Sequence, residues 1–410
     1  MARSAGSPWS KSWAVVELFA GVGSVAEGFR SGAGFDIAYL NDVDPAARDT
    51  YQENYGRDVP YELVDVREVT ADRIRERADG KPIAGLLGCP PCQGWSTAGA
   101  RRVGDARNAL LGDFFRLITD MRPLFFVMEN VPAVSDRAEL AAALKALSPH
   151  YSVWTGVLNA ASYGLPQSRQ RTLVIGYDVR TGVRPTPPPP THAGKRRVWD
   201  YRSEKLVKPS IDTIDTILGA APRIGCTAAA AYEMAPHYKA GVETLKDFVT
   251  VGEALRDLDH GSGQAPSDYV RRLGGGWFPP ENHQPWGHGP ELVARLEKVV
   301  EGRRPPTEAA GGRRYYSQAY ARLHRRGLAR TITTNFHNPG SGRFLHYAQP
   351  RSLTIREAAR LQGFRDDFRF IHHPSWQERL VGNAFPHLWA EVIARHLAQQ
   401  LGASLASHAT

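Results

Sequence analysis

The 410-residue sequence predicts an α/β fold, in which a mainly parallel sheet covered by helices is followed by a smaller region of irregular structure. Two observations indicate this fold class. From residue 14 onward, short apolar segments alternate with segments of helical spacing, which is typical of a parallel sheet with both faces covered. After about residue 184 the alternation stops, and the following chain is rich in Gly, Arg, His and aromatic residues with weak periodicity.

Short apolar segments bounded by turn residues are the predicted strands of the sheet. They cover residues 14–19, 35–40, 83–87, 124–128 and 173–176. Helices are predicted after the first two strands, one through Val25 and Phe29 and the other through Ala46 and Tyr51. Strands and helices alternate along this region, although the sequence contains no internal repeats.

A proline run marks the main boundary along the chain. Residues 185–190 read Pro-Thr-Pro-Pro-Pro-Pro, which predicts a stiff extended linker. Regular structure returns near the end of the chain, where Thr354 and Glu357 have the spacing of a helix capping box. A final helix is predicted from about Leu388 to Leu401.

The chain carries a net charge of +9 and has a pI near 9.5, which suggests a polyanionic partner such as nucleic acid. Basic residues also cluster, at 195–197, 303–304, 313–314 and 325–326. No apolar run approaches the roughly 18 residues of a membrane-spanning helix. Three cysteines are too few for a disulfide framework. We therefore expect a cytoplasmic protein that does not bind a membrane.

A glycine turn follows the first predicted strand. Residues 19–23 read Phe-Ala-Gly-Val-Gly, and such glycines let the backbone approach a ligand at the start of a helix. A tight turn without a ligand is the alternative. Two acids favour a ligand, because Asp42 could bind ribose hydroxyls and Asp65 could accept a hydrogen bond from an adenine amino group. No third glycine follows at the dinucleotide spacing, so an adenosyl ligand fits better.

Cys89 and Cys92 enclose two prolines after the third predicted strand, and three interpretations compete. A redox pair usually opens a helix, whereas Gly94 follows closely here. A zinc site would need a second ligand pair, yet only Cys226 remains. A loop that leaves a buried strand exposes one thiol at the sheet edge, as a nucleophile requires. We favour a nucleophile at Cys92 and an inert, buried Cys89.

Two further motifs place charged groups beside predicted strands. Glu129 lies at the carboxyl end of an apolar strand, where the crevices of parallel sheets form and where an ionised carboxylate needs a partner or a proton. A surface acid in a turn is the alternative. Arg169 and Arg171 alternate in an extended segment, so both could face one anion, although a solvated pair is equally compatible.

Taken together and in this order, the motifs resemble the cytosine-5 DNA methyltransferase family of the bacterial and phage type. The matching stretches are Glu17–Gly23, Gly88–Ser96, Glu129–Val131, Gln167–Arg171, Arg351–Phe364 and Gly382–Pro386. The segment Arg330–Thr334 is similar to the threonine-bearing segment of the family. The resemblance covers roughly residues 14–180 and 313–400.

The resemblance implies a Rossmann-like methyltransferase fold that binds S-adenosylmethionine and releases S-adenosylhomocysteine, without a metal. The catalytic residues would be Cys92, Glu129, Arg169 and Arg171. The cofactor would be bound by Phe19, Gly21, Gly23, Asp42, Val43, Asp65, Pro91 and Asn383. Cys92 would add to carbon 6 of a flipped-out cytosine, and protonated Glu129 would hydrogen-bond to ring nitrogen 3 while carbon 5 takes the methyl group.

The resemblance also implies a division of labour along the chain. Residues 14–184 would form the catalytic and cofactor-binding domain, and residues 185–350 the linker and a target-recognition domain that reads duplex DNA. Residues 351–402 would return, so that the C-terminal helix completes the catalytic domain. We expect a monomer, and a cognate restriction enzyme that acts separately is one further partner to consider.

Two other functions compete with this interpretation. One branch of the family acts on transfer RNA, so an RNA cytosine-5 methyltransferase is the first, although the large variable segment after a polyproline entry favours duplex DNA. The second is an inactive cofactor-binding DNA module, against which the retention of Cys92, Glu129, Arg169 and Arg171 argues. A redox or zinc protein built on Cys89 and Cys92 is a distant third.

Overall fold

The computed structural model describes residues 13–91, 110–210, 213–214, 244–259, 265–275, 281–305 and 318–407. The chain divides into two compact units. The sheet unit comprises Met1–Val157, Arg171–Pro188 and Ala390–Thr410, and the second unit comprises Leu158–Gln170 and Pro189–Trp389. One boundary between the units falls inside the proline run. The domain bounds 14–184, 185–350 and 351–402 stay a prediction.

Seven strands form the sheet. In chain order they are β1 (Ala14–Leu18), β2 (Asp36–Asp42), β3 (Tyr61–Leu63), β4 (Ile83–Gly88), β5 (Phe125–Asn130), β6 (Tyr151–Asn159) and, after the short β7 (Gln167–Ser168) of the second unit, β8 (Gln170–Asp178). Their order across the sheet is β3-β2-β1-β4-β5-β8-β6. The pairs from β3 to β5 are parallel, and β8 is antiparallel to β5. The predicted α/β class with a mainly parallel sheet is confirmed.

Helices cover both faces of this sheet. Those between the strands are α1 (Ser24–Ala33), α2 (Pro45–Tyr55), α3 (Ala71–Arg77), α4 (Leu110–Met121) and α5 (Ala138–Leu147). Successive side chains of a strand point to opposite faces. Phe125 of β5 accordingly stacks on Phe29 of α1 with ring centroids 6.1 Å apart, while Phe126 meets Phe115 of α4 edge-on at 6.2 Å. Burial on both faces explains why the strands are continuously apolar.

The register of the strands aligns the ends of four of them. Leu18 of β1 lies opposite Asn41 of β2 on one side and Gly88 of β4 on the other. Gly88 in turn lies opposite Met128 of β5. The residues that follow this row therefore emerge together at the carboxyl edge of the sheet. Function-bearing residues that are distant in sequence become neighbours in this way.

The predicted strands all occur, with shifted bounds. The second predicted strand, 35–40, runs on to Asp42, because its end pairs with β3, where Asp42 lies opposite Leu63. β3 has only three residues, too few for a periodic pattern, and the sequence did not predict it. The predicted capping box is confirmed, since Thr354 Oγ1 accepts from Glu357 N at 3.1 Å and the Glu357 side chain accepts from Thr354 N at 2.8 Å.

The second unit is irregular, as predicted, and its described strands have two or three residues each. They are β7, β9 (His192–Ala193), β10 (Val198–Asp200), β11 (Lys205–Val207), β12 (Lys246–Asp247) and β13 (Ala329–Arg330), paired as β7–β13, β9–β12 and β10–β11. Its described helices are α6 (Val251–Leu255), α7 (Asp268–Arg272), α8 (Pro290–Glu297), α9 (Ile355–Leu361) and α10 (Pro374–Asn383). The last helix, α11 (His387–Ser407), belongs to the sheet unit from Ala390 onward. Single 3-10 turns occupy Val66–Glu68, Pro132–Asp136, Ala160–Tyr163, Val179–Thr181 and Pro339–Ser341.

In the second unit, buried arginines donate many of the hydrogen bonds that backbone carbonyls would receive from neighbouring strands in a sheet. Arg322, Arg343 and Arg356 are at most 4% exposed, and each donates to backbone carbonyls of segments distant in sequence. A buried carbonyl outside regular structure needs a donor, and a guanidinium supplies five N–H groups. Burial lowers the pKa of Arg343 and of Arg356 to about 10, so both stay charged at neutral pH.

A buried histidine in this unit predicts acid sensitivity. Burial, with Lys246 and Arg272 nearby, lowers the pKa of His192 from 6.5 to about 4. The unfolded chain therefore takes up a proton as pH falls from about 6.5 to about 4 while the folded chain does not, and stability is lost over that window. Between pH 7 and pH 5 this loss amounts to about 2 kcal/mol, and we expect His192→Gln to remove it. Urea unfolding at pH 7 and pH 5 measures it, and an unchanged pH dependence in the variant would contradict the assignment.

Candidate active site

The glycine turn after β1 holds its shape through three left-handed residues. Phe19, Gly21 and Gly23 have φ angles of 56°, 53° and 72°. Gly23 N donates to Ala20 O at 2.8 Å and caps the start of α1. A Cβ on Gly23 would lie 2.5 Å from the ring of Tyr51, whereas a Cβ on Gly21 would meet no atom within 4 Å. The turn is thus packed on one side and open on the other.

Asp42 ties this turn to the end of β2. Its Oδ2 accepts from Gly21 N at 2.8 Å, and its Oδ1 accepts from Val43 N at 2.7 Å and Asp44 N at 3.0 Å. Burial raises the pKa of the Asp42 carboxyl, and the three backbone N–H groups act against that rise. Oδ1 accepts two of these hydrogen bonds and Oδ2 only one, so Asp42 can brace the turn and still accept a hydroxyl at Oδ2.

Val43 and Asp65 stand at the ends of the neighbouring strands. Val43 is 65% exposed, which is unusual for a large aliphatic side chain directly after a buried strand. Asp65 accepts from Arg67 Nε at 2.9 Å and from Arg67 Nη2 at 2.6 Å. These hydrogen bonds lower the pKa of Asp65 to about 2, so the carboxylate is charged at any physiological pH. An exposed aliphatic surface beside two acids suits an adenosyl group.

A matched pair of glycine variants tests the turn. We expect Gly23→Ala to lower the free energy of unfolding by about 2–5 kcal/mol, because a left-handed backbone penalty of about 1–2 kcal/mol adds to overpacking of about 1–3 kcal/mol against Tyr51. Gly21→Ala should cost only the backbone penalty of about 1–2 kcal/mol, since its Cβ has space. Urea unfolding measures both, and equal losses would contradict the packing argument.

The cysteine loop leaves the carboxyl end of β4. Gly88 closes the strand, and a Cβ there would lie 2.5 Å from the ring of Phe114. Cys89, Pro90 and Pro91 follow within the described residues. The Cys89 side chain is partly exposed, so the prediction that it is buried is wrong. Cys92, predicted as the nucleophile, lies outside the described residues, as does Cys226. The strand register brings the described start of the loop, residues 89–91, to the same edge as the glycine turn.

Glu129 lies one strand further along this edge and is paired with Arg171. Arg171 Nε is 2.5 Å from Glu129 Oε1, and both side chains are only 12–13% exposed. Leu173 of the antiparallel β8 lies opposite Glu129. Arg171 is two residues from Leu173 along β8, so its side chain points to the same face of the sheet as that of Glu129. Glu129 was expected to need a partner or a proton, and the structure supplies the partner. The contact therefore holds the Glu129 carboxyl at the end of β5.

The amide of Asn130 is a feature whose role the sequence did not reveal. Asn130 is 2% exposed, and its Nδ2 donates to Pro90 O at 3.0 Å while its Oδ1 accepts from Val131 N at 2.9 Å. The residue stood within the matching stretch Glu129–Val131, which was the only sequence signal. It joins the end of β5 to the cysteine loop, two residues before Cys92.

Two of the predicted site residues lie in the second unit. Arg169 is 2% exposed and donates to Ile332 O at 3.4 Å and Ala384 O at 3.2 Å. These contacts hold backbone segments together. Asn383 is the last residue of α10 and is exposed, while its neighbour Gly382 packs so closely on Thr333 that a Cβ would lie 2.5 Å from backbone atoms. The roles predicted for Arg169 and Asn383 stay predictions.

The described part of the chain contains neither a candidate metal site nor a candidate membrane span. Among these residues, no group of three or more His, Cys, Asp or Glu side chains is placed to hold a metal ion. In the same residues, no helix is both long and apolar enough to cross a membrane.

Comparison with known proteins identifies the family. The model of the family described as C-5 cytosine-specific DNA methylase matches residues 13–399. The type II methyltransferase M.AgeI of Thalassovita gelatinovora is 30% identical, over 92% of this chain and 97% of its own length. M.XorII of Xanthomonas oryzae pv. oryzae is 30% identical over 94% and 84%. Two solved structures share the fold: a prophage-encoded protein of E. coli (TM-score 0.68, 24% identity, covering 95% of this chain and 100% of its own) and Dnmt2 of S. pombe (0.55, 15%, 95% and 98%). The chain therefore belongs to the C-5 cytosine-specific DNA methylases and is a DNA (cytosine-5-)-methyltransferase.

Proposed function

We propose that Cys92, Glu129 and Arg171 carry out methyl transfer to carbon 5 of a cytosine that is flipped out of duplex DNA. The observation that carries the proposal is the strand register, which aligns the start of the cysteine loop after Gly88 with the Glu129–Arg171 pair after Met128. A nucleophile and an acid–base group at adjacent strand ends can act on one ring. Extruding the base from its stack costs a few kcal/mol, and DNA contacts must supply that energy.

The reaction divides into an addition and an elimination. The Cys92 thiolate forms a bond to carbon 6, and Glu129, which must carry a proton for this step, donates that proton to ring nitrogen 3, where negative charge develops. Carbon 5, now part of an enamine, would take the methyl group from the sulfonium of the donor, which would leave as a neutral thioether, and carbon 5 would then lose its proton to a base. The bond between sulfur and carbon 6 breaks last and returns the thiolate. Arg171 fixes the orientation of the Glu129 carboxyl through Oε1.

The family implies S-adenosylmethionine as the methyl donor, and the described residues fit it. When bound, it supplies an electrophilic methyl group on a sulfonium. We propose that the open side of Gly21 and the exposed face of Val43 receive the adenosyl group, that Asp42 accepts from ribose hydroxyls and that Asp65 accepts from the adenine amino group. Phe19, Gly23, Pro91 and Asn383 complete the proposed set.

We further propose that the second unit binds the DNA backbone around Trp199. The rings of Trp199 and His324 are stacked with centroids 4.2 Å apart. Exposed Arg197 and Arg326 lie beside them, with Arg326 Nη2 donating to Arg197 O at 3.3 Å, and exposed Arg304 follows Arg303, whose guanidinium lies over the Trp199 ring. Exposed cations around an aromatic stack suit phosphate contacts, which supply sequence-independent affinity.

The relatives M.AgeI and M.XorII carry type II names, so a separate cognate restriction enzyme is part of the proposal. The proposal also includes a monomeric state and a cytoplasmic location.

Bisulfite sequencing of DNA from cells that express the chain tests the proposed function. We expect methylated cytosines at one recurring DNA sequence, and none in cells that express Cys92→Ala. A parallel assay with transfer RNA covers the RNA alternative. Methylation of RNA alone, or of neither nucleic acid, would overturn the proposal.

A further inference from the structure

The join between the cysteine loop and β5 depends on one side chain. The described pairing between β4 and β5 runs from Gly85 to Gly88 and then stops. Pro90 and Pro91 have no backbone N–H, so this part of the loop cannot donate to a neighbouring strand. The carbonyl of Pro90 still needs a donor where it is buried, and Asn130 Nδ2 supplies it at 3.0 Å.

Backbone groups of the neighbouring segment cannot replace this donor. Val131 N is already engaged with Asn130 Oδ1 at 2.9 Å, and Pro132 has no N–H. Both ends of the Asn130 amide are therefore bonded. Its oxygen accepts from Val131 N, and its nitrogen donates to Pro90 O in the loop. Since its orientation is determined on both sides, the distance between the end of β5 and Pro90 is determined as well.

We propose that Asn130 is a positioning residue that anchors the start of the cysteine loop, at Pro90, to the end of β5, and that the reactivity of Cys92 depends on this anchor. Glu129 and Asn130 are successive residues of β5, so their side chains point to opposite faces of the strand. One strand end thereby orients the acid–base group with one residue and the nucleophile loop with the next. The inference rests on the proposed function, because it assigns Cys92 and Glu129 to one base.

The expected consequence concerns thiolate addition and leaves cofactor binding intact. A displacement of about 1 Å in a reacting group can reduce a rate by about 10²-fold. The hydrogen bonds of the Asn130 amide to Pro90 and Val131 do not involve the glycine turn, Asp42 or Asp65. Loss of the amide should therefore slow the addition of Cys92 to carbon 6 and leave the affinity for S-adenosylhomocysteine unchanged.

The test isolates the addition step. Duplex DNA that carries tritium at carbon 5 of cytosine loses it to water when a thiolate adds reversibly to carbon 6, without any methyl donor. We expect Asn130→Ala and Asn130→Asp to reduce this exchange by about 10–100-fold at pH 7.5. Rates are expressed per S-adenosylhomocysteine-binding site, measured by calorimetry, so that unfolded protein does not contribute.

The two variants are separated by pH. In Asn130→Asp, the charged carboxylate has no donor for Pro90 O, but the protonated carboxyl has an O–H. The exchange rate of Asn130→Asp relative to wild type should therefore rise as pH falls, whereas that of Asn130→Ala should not. A ratio that is constant with pH in both variants would show that the side chain acts only through the general stability of the fold, and would overturn the proposal.

Asn41 provides the matched control. It is a buried asparagine at the end of β2, and its Nδ2 donates to a carbonyl beyond the neighbouring strand, Val64 O, at 2.7 Å. Asn41→Asp makes the same chemical change next to Asp65, so it should weaken S-adenosylhomocysteine binding and preserve tritium exchange per site. Equal exchange rates in Asn130→Asp and wild type, or loss of all cofactor binding in both Asn130 variants, would overturn the proposal. Cys92→Ala distinguishes a failure of this inference from a failure of the proposed function. Tritium exchange that persists in Cys92→Ala would contradict the proposed function itself.

Discussion

Cys92→Ala should abolish methyl transfer to DNA, because no other group at this edge of the sheet is proposed to add to carbon 6. Loss of an essential nucleophile has cost on the order of 10⁶-fold in kcat in a well-studied hydrolase. The measurement is transfer of a labelled methyl group to DNA, together with covalent trapping on DNA that contains 5-fluorocytosine. The fluorine cannot leave as a proton does, so an active nucleophile stays attached to the base.

Cys89→Ala is the control for this prediction. Cys89 lies in the same loop, three residues earlier, and its side chain is partly exposed. The variant should keep methyl transfer within about 3-fold of wild type, an allowance we make for a small change in packing. Adduct formation by Cys92→Ala, or its loss in Cys89→Ala, would show that the nucleophile has been assigned to the wrong cysteine.

Glu129→Gln should lower kcat by about 10²–10⁴-fold, which is the usual contribution of a positioned acid–base group. Glutamine retains the size of the side chain but cannot exchange a proton with ring nitrogen 3. It also loses the charge that pairs with Arg171 at 2.5 Å, so the guanidinium is left partly buried without its carboxylate. Steady-state kinetics on DNA measure the effect, and binding of S-adenosylhomocysteine should be unchanged.

Glu62→Gln is the matched control for Glu129→Gln. Glu62 is also a strand carboxylate paired with arginine, at 2.7 Å from Arg73 and 2.7 Å from Arg77, with a side chain 14% exposed. It lies on β3, before the row of strand ends. This variant should lose some stability and retain kcat. If Glu62→Gln and Glu129→Gln lowered kcat equally, the effect would come from a lost ion pair and not from acid–base chemistry.

Five of the seven strands of the sheet could be predicted, because most of their residues are buried on both faces. The first half of β6 is only partly buried, and that strand was not predicted. Phe125 and Phe126 point in opposite directions and both meet helices, so this segment is apolar without alternation and easy to recognise. The short β3 could not be predicted, because its three residues exist as a strand only through pairing with β2. The structure of the irregular second unit could not be predicted either. Buried arginines such as Arg322 donate to carbonyls of distant segments, and no local sequence pattern indicates those partners.

The candidate site shows the same division. Arg169 and Arg171 looked equivalent in the sequence, as alternate residues of one extended segment. In the structure, Arg171 pairs with Glu129, while Arg169 donates to the carbonyls of Ile332 and Ala384 in the second unit. The difference arises from which partners each segment meets after folding. Alternation alone could not show which partners each arginine meets.

The sequence by itself determined the fold class, the family motifs and the types of reactive group, because each of these depends on local composition and spacing. Only the tertiary structure decided which groups are neighbours. The register that aligns Leu18, Gly88 and Met128 brings three distant motifs to one edge. The bond from Asn130 to Pro90 likewise depends on two strands ending side by side. Such contacts form between residues far apart in the chain, and their partners are chosen by strand pairing and burial.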